Sequence, residues 1–202
     1  GETEWNKKGI VMGQKDSPLT PEGIEQAQVI AGEFRHVNFD AVFASDLSRA
    51  KRTAEIIKLE RELAVTTSKL LRERSSGHYE GEPVAGYREA IQHLLEQRQQ
   101  LSEEEKWKLK LDEDVESDAE VASRIITHLR EIAVSHPNKT VLVVTHGGCI
   151  RSFLTHVGYA KYGELPSGSF KNAGYVKVLS DGIDFFVKEV KGAEKKTTNP
   201  EF

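Results

Sequence analysis

The sequence predicts a single three-layer α/β domain, with a mostly parallel central sheet flanked by helices and an antiparallel hairpin at one edge. Three observations carry this. Thr140–Thr145 is apolar and β-branched without alternation, as expected of a central parallel strand covered on both faces. Strand-like and helix-like segments alternate along the chain, the pattern of an α/β domain. Near the end, Tyr175–Leu179 and Ile183–Val190 flank Ser180-Asp181-Gly182, an Asp-Gly hairpin signal. The domain is expected over residues 1–191, followed by a polar, fraying tail over 192–202.

The elements follow in order. Asp16-Ser17-Pro18 is a turn, and Thr20-Pro21 supplies an N-cap with Pro at the first helical position. Ile24, Ala27, Ala31 and Phe34 recur at helical spacing, predicting a helix over 21–35. Ala41–Ser45 reads as a short buried strand and runs into a helix with Leu47, Ala50, Ala54 and Ile57 on its apolar face. Leu63–Leu71 is a second strand with poorer alternation, and residues 75–86 hold the breakers of a loop. Tyr87–Leu101 is a helix presenting Ile91, Leu94 and Leu95. The highly charged stretch 102–118 is expected to be a solvated helix end and loop. Ser117 with Glu120 makes a capping box ahead of the stripe Val121, Ile125, Leu129 and Ile132. His136-Pro137-Asn138 ends that helix, and after the central strand Ile150, Phe153, Leu154 and Val157 carry another.

Composition narrows the function classes. The chain has 202 residues, 28 Lys+Arg and 32 Asp+Glu, a net charge of −4 that argues against a nucleic-acid binder driven by bulk electrostatics. One Cys cannot form an internal disulfide, so a reducing, cytoplasmic compartment is expected. No apolar run approaches the length of a membrane span. There is no phosphate-binding glycine loop of either common type, and no zinc spacing. Cys149 has Thr155, not Arg, six positions later, so the tyrosine-phosphatase cradle is absent.

In parallel sheets, ligands bind at the carboxyl ends of the strands. Two such ends carry chemistry here. His146-Gly147-Gly148 closes the central strand, where two glycines permit close backbone approach and a helix start offers free N–H groups to an anion. The same pattern also fits a satisfied core histidine in a tight turn. Arg49 lies in the first turn of the helix after strand 41–45, either solvated or placed to grip a phosphate. Glu73, between Arg72 and Arg74, reads as a surface ion-pair cluster or, beside His146, as a general acid or base.

Together these pieces resemble the histidine phosphatase superfamily, the phosphoglycerate-mutase-like group. Gly1-Glu2-Thr3-Glu4-Trp5-Asn6 matches the family's opening motif from its third residue onward. Gly13–Thr20, Ser45–Ala54, Leu71-Arg72-Glu73 with Gly77 and Tyr79-Glu80-Gly81, Glu116-Ser117, Thr145–Gly148 and Asn172-Ala173 match further segments in family order. The family's Arg-His pair, whose His is the nucleophile, would directly precede Gly1. The resemblance therefore implies that pair and a first strand upstream of Gly1.

The resemblance implies a phosphomonoester hydrolase acting through a phosphohistidine on small phosphorylated metabolites, with no metal or other cofactor. Arg49 would hold the phosphoryl oxygens, His146 would stabilise their developing charge, and Glu73 would protonate the leaving oxygen. Asn6 and the Gly147 backbone would bind phosphate. Met12, Gly13, Gln14 and Arg74 would line the substrate side, with Met12 standing where the family often carries Gln or Thr. Glu73 and His146 lie 73 positions apart, closer to the compact phosphatase branch than to the cofactor-dependent mutases. The alternatives are such a mutase, or a phosphate-recognising scaffold on the same fold.

Overall fold

The computed structural model describes residues 1–58, 61–98 and 100–196. Its centre is β1 (Ala41–Ser45), paired in parallel with β2 (Val65–Ser68) on one side and β3 (Val141–Val144) on the other. Period-two alternation splits these strands between two faces. Val42, Ala44, Leu142 and Val144 pack on α2 (Pro21–Glu33) and α3 (Ser48–Ile57), while Phe43 and Val143 face the opposite layer. That layer is α6 (Asp118–Ser135) and α7 (Gly147–His156), which bury Val121, Ile125, Cys149, Phe153 and Leu154. The three-layer α/β expectation holds.

The helix starts obey their sequence signals. Thr20 accepts the Gly23 N–H at 3.0 Å, with Pro21 following it. Ser117 and Glu120 form the capping box of α6. Thr3 caps a short helix α1 (Glu4–Lys8) in the same way with Asn6.

Several boundaries differ from expectation. The second strand is cut to β2 because Lys69–Leu71 tightens into a 3-10 turn. The loop 75–86 contains a 3-10 turn at Gly77–Tyr79, and α4 (Val84–Arg98) starts inside its last three residues. Within the charged stretch, Ser102 and Glu105 cap a further helix, α5 (Glu103–Lys108). So 102–118 is not simply solvated: Trp107 meets Tyr162 edge-on at 6.1 Å.

The hairpin is longer than its turn signal suggested, with β4 (Phe170–Ser180) antiparallel to β5 (Phe185–Ala193). Ala193 pairs with Phe170, and the backbone N–H groups of Glu194 and Lys196 bond Ser169 and Glu164. Residues 192–196 are thus held, correcting the expected fraying there, while 197–202 lie outside the described residues. Nor is the hairpin hydrogen-bonded to the parallel sheet; it forms its own two-stranded sheet. It continues the same layer: Tyr175 packs on the α2 side, 5.0 Å from the Phe34 ring, while Val176 and Val178 pack on the α7 side. A cavity of about 2330 Å³ is lined by residues of β3 and β4 together with Gly1, Arg49, Glu73 and His146. Among the described residues, no helix is long and apolar enough to cross a membrane.

Candidate active site

The site gathers at the carboxyl ends of β1 and β3. After β3 the chain turns at His146, and Gly147 and Gly148 begin α7. The Gly148 N–H donates to Glu73 Oε2 at 3.0 Å, and the Arg74 N–H donates to Glu73 Oε1 at 2.7 Å. A side chain at 148 would collide with the Glu73 carboxylate, which is why glycine stands there. Burial alone would raise the Glu73 pKa. His146, the two backbone donors and Arg151 outweigh it, holding this carboxyl below its usual range. His146 is half-buried, and burial pushes its pKa down to about 3 despite the opposing pull of Glu73. Its Nε2 is fully enclosed and has no hydrogen-bond partner among the described residues.

Arg49 comes from the first turn of α3 and is 6% exposed. Its Nη1 donates to Lys15 O at 2.8 Å and to Asp16 Oδ1 at 3.2 Å, and its Nη2 to Gly13 O at 2.8 Å. A guanidinium has five donors, so the Nε–H and one Nη2–H have no protein acceptor among the described residues. Its charge acts on both Glu73 and His146.

Two supports were given no role from sequence, although Glu80 and Glu116 both lie in segments that match the family. Glu80, 7% exposed, accepts the N–H groups of Gln14 at 2.8 Å, Lys15 at 2.9 Å and Ser76 at 2.9 Å. It thereby shapes the loop 12–16 whose carbonyls hold Arg49, and a side chain at Gly13, where φ is 51°, would collide with it. Arg124 of α6 chelates Glu116 at 2.8 and 2.9 Å and reaches the carbonyls of Leu70, Arg72 and Glu73. It pins the segment that presents Glu73. Only the Glu116-Ser117 match hinted at that partnership.

The remaining sequence candidates divide. Asn6, Met12, Gly13, Arg74 and Gly147 all line the cavity. Asn6 spends its Oδ1 on the Thr3 backbone and hydroxyl, and Met12 Sδ accepts from Thr3 Oγ1 at 3.1 Å. Gln14 is not brought to the cavity: Glu80 draws its backbone into the adjoining loop. Arg74 pairs with Asp118 and lies 3.4 Å from the Ser152 hydroxyl. Arg98, Asp118, Arg151 and Tyr162 also line this wall, and none was singled out in sequence.

This geometry coincides with a known family. The family described as the histidine phosphatase superfamily (branch 1) matches residues 1–191. The chain belongs to that superfamily. It is 31% identical over 157 residues to the uncharacterized phosphatase PhoE of Bacillus subtilis (strain 168), covering 78% of this chain and 73% of that protein. Among solved structures of similar fold is Bacillus stearothermophilus YhfR, with TM-score 0.81 and 26% identity over 96% of this chain and 93% of the other. Another is a phosphoglycerate mutase from Bacillus anthracis str. Sterne, with TM-score 0.79 and 25% identity, covering 96% of this chain and 89% of that one. A relative named a phosphatase and a solved structure named a phosphoglycerate mutase are thus both similar to this chain.

Proposed function

We propose that this histidine phosphatase hydrolyses small phosphomonoesters through a phosphohistidine. One observation carries the reading: the enclosed, unpartnered Nε2 of His146 sits in one electrostatic unit with Glu73 and the half-satisfied Arg49. An enclosed polar atom without a partner costs about 1–3 kcal/mol, which a phosphoryl oxygen accepting from Nε2–H would recover. The two free Arg49 donors offer the same oxygens a fork, and the α7 N-terminus adds backbone donors.

In this reading the nucleophile is a His in a segment preceding Gly1. The His nitrogen bonds to phosphorus as the ester oxygen leaves, and Glu73 supplies that oxygen's proton. Glu73 is ionised in the free site, and an arriving phosphate raises its pKa by like-charge repulsion. Water then cleaves the P–N bond, giving its proton to Glu73. No step calls for a metal.

A mutase is the second reading, favoured by Trp107 and Tyr162, which put aromatic surface on the cavity wall where an intermediate could be shielded from water. The test uses the full-length chain. Phosphate release from p-nitrophenyl phosphate, unaffected by a chelator, is expected. With 3-phosphoglycerate and its bisphosphate activator, isomerisation far outrunning phosphate release would select the mutase, and no reaction of either kind would select the scaffold.

A further inference from the structure

Away from the cavity, two segments distant in the chain set an imidazole between two carboxylates. His78 lies in the 3-10 turn Gly77–Tyr79, and Asp112 and Asp114 lie in the stretch between α5 and α6. Backbone bonds strap these segments together: Ser76 bridges Val115, and the Glu116 N–H donates to Ser75 O at 3.0 Å. Gly77, at φ 57°, permits the approach, because a side chain there would collide with the Asp114 carboxylate. His78 Nδ1 lies 3.2 Å from Asp114 Oδ1, and His78 Nε2 lies 3.9 Å from Asp112 Oδ2. None of these three residues lines the cavity.

Two features of the cluster call for a cation. A carboxylate stands beside each ring nitrogen, yet a neutral imidazole has one N–H and one lone pair. The lone pair therefore faces negative charge until a second proton or a metal ion takes it. In addition, neither carboxylate has a Lys or Arg partner among the described residues, and both fall to His78 alone. The three groups are also aimed. The Tyr79 ring lies against the imidazole, 4.0 Å between centroids, and the Tyr79 hydroxyl donates to Asp112 Oδ2 at 3.3 Å. The His78 N–H donates to Asp114 Oδ2 at 2.7 Å. One ring nitrogen and one oxygen from each carboxylate lie within 4.8 Å of one another. Tetrahedral ligands of Zn²⁺ stand about 3.3 Å apart. These side chains are exposed, so rotation can close that difference.

We propose that His78, Asp112 and Asp114 bind one divalent transition-metal ion, with water completing its coordination, and that the ion clamps the two strapped segments. One nitrogen and two oxygens suit Zn²⁺ better than Mg²⁺ or Ca²⁺, which take oxygen ligands. The ion takes no part in the chemistry proposed for the cavity. It adds stability by binding only the folded chain, in which His78 and Asp114, 36 positions apart, meet.

Calorimetric titration of the chelator-stripped, full-length protein with Zn²⁺, Mg²⁺ and Ca²⁺ tests the site. Zn²⁺ should bind about tenfold or more tightly than either of the others. His78→Ala and Asp114→Asn should each weaken Zn²⁺ by about tenfold or more. His93→Ala, which removes an exposed imidazole of α4, should leave the affinity unchanged. Asn at 114 keeps an acceptor for the His78 N–H, so this variant retains the local fold. Zinc-edge X-ray absorption should find one imidazole nitrogen and oxygen donors at about 2.0–2.1 Å. Saturating Zn²⁺ should raise the melting temperature of the wild type, and raise that of His78→Ala much less. Zn²⁺ affinities within about twofold of the wild type in both His78→Ala and Asp114→Asn would overturn the proposal. So would a wild type that binds Zn²⁺ no more tightly than Mg²⁺.

Discussion

Replacing Glu80 is the sharpest test of how this site is held. Its carboxylate touches no part of the catalytic group directly, yet accepts three backbone N–H groups from two separate loops. In Glu80→Gln, one oxygen can still serve Gln14 and Ser76, while an NH₂ group confronts the Lys15 N–H. One buried donor is orphaned, a cost of about 1–3 kcal/mol. In Glu80→Ala all three are orphaned, and the loss should reach about 3–6 kcal/mol, limited by how far the loop opens to water. Opening the loop 12–16 moves the Gly13 and Lys15 carbonyls that fix Arg49, so kcat/KM should fall by roughly 10- to 100-fold in the alanine variant. Urea unfolding gives the stability change, and steady-state kinetics on p-nitrophenyl phosphate give the rate. A stability loss under about 1 kcal/mol in Glu80→Ala, with wild-type kinetics, would refute the linkage from Glu80 to Arg49.

Other outcomes follow from the same geometry. His146→Ala and Arg49→Ala should each lower kcat/KM by roughly 10²-fold or more, since each removes charge stabilisation from the developing oxyanion; a loss below about threefold would remove that residue from the mechanism. Glu73→Gln should harm esters with poor leaving groups more than activated aryl phosphates, and equal losses on both would reject Glu73 as the acid. Stability should fall as pH drops below about 6.5, because the unfolded imidazole of His146 takes up a proton that the folded one, with a pKa of about 3, refuses. The slope from this group is at most about 1.4 kcal/mol per pH unit. Glu73, also depressed, adds a loss of the same sign below about 4.5. Urea midpoints at pH 7.5 and 5.0 measure it, and a midpoint that is unchanged or higher at pH 5.0 would contradict the burial of His146.

The strands and helices that fill both faces of the sheet were legible because burial writes itself into local pattern. β1 and β3 are apolar on both sides, and the α2 and α6 starts carry caps whose bonds span three residues. His146 and Arg49 were legible as candidates because they follow closely on strand ends, where a parallel sheet exposes its ligand-binding edge, and Glu73 because it follows the expected second strand, although a 3-10 turn intervenes in the structure. The charged stretch 102–118 concealed α5, since its capping box lies among residues whose charge alone reads as solvent-facing.

Convergence was decided only in three dimensions. Arg98 looks like an ordinary solvated arginine on a helix, and only the packing of α4 brings it to Asp118, which Arg74 also reaches. Glu80 lies in a segment that matches the family, but its role emerges only when the chain folds three N–H groups onto it from positions 4 and about 65 residues away. Gln14 shows the converse: its motif placed it at the substrate, but Glu80 holds its backbone in the loop beside the cavity. Sequence determines which residues bury apolar surface and cap helices, because those interactions are local or periodic. Which isolated charges meet, and which of them stay unmatched, depends on the packing of distant elements and leaves no period in the chain.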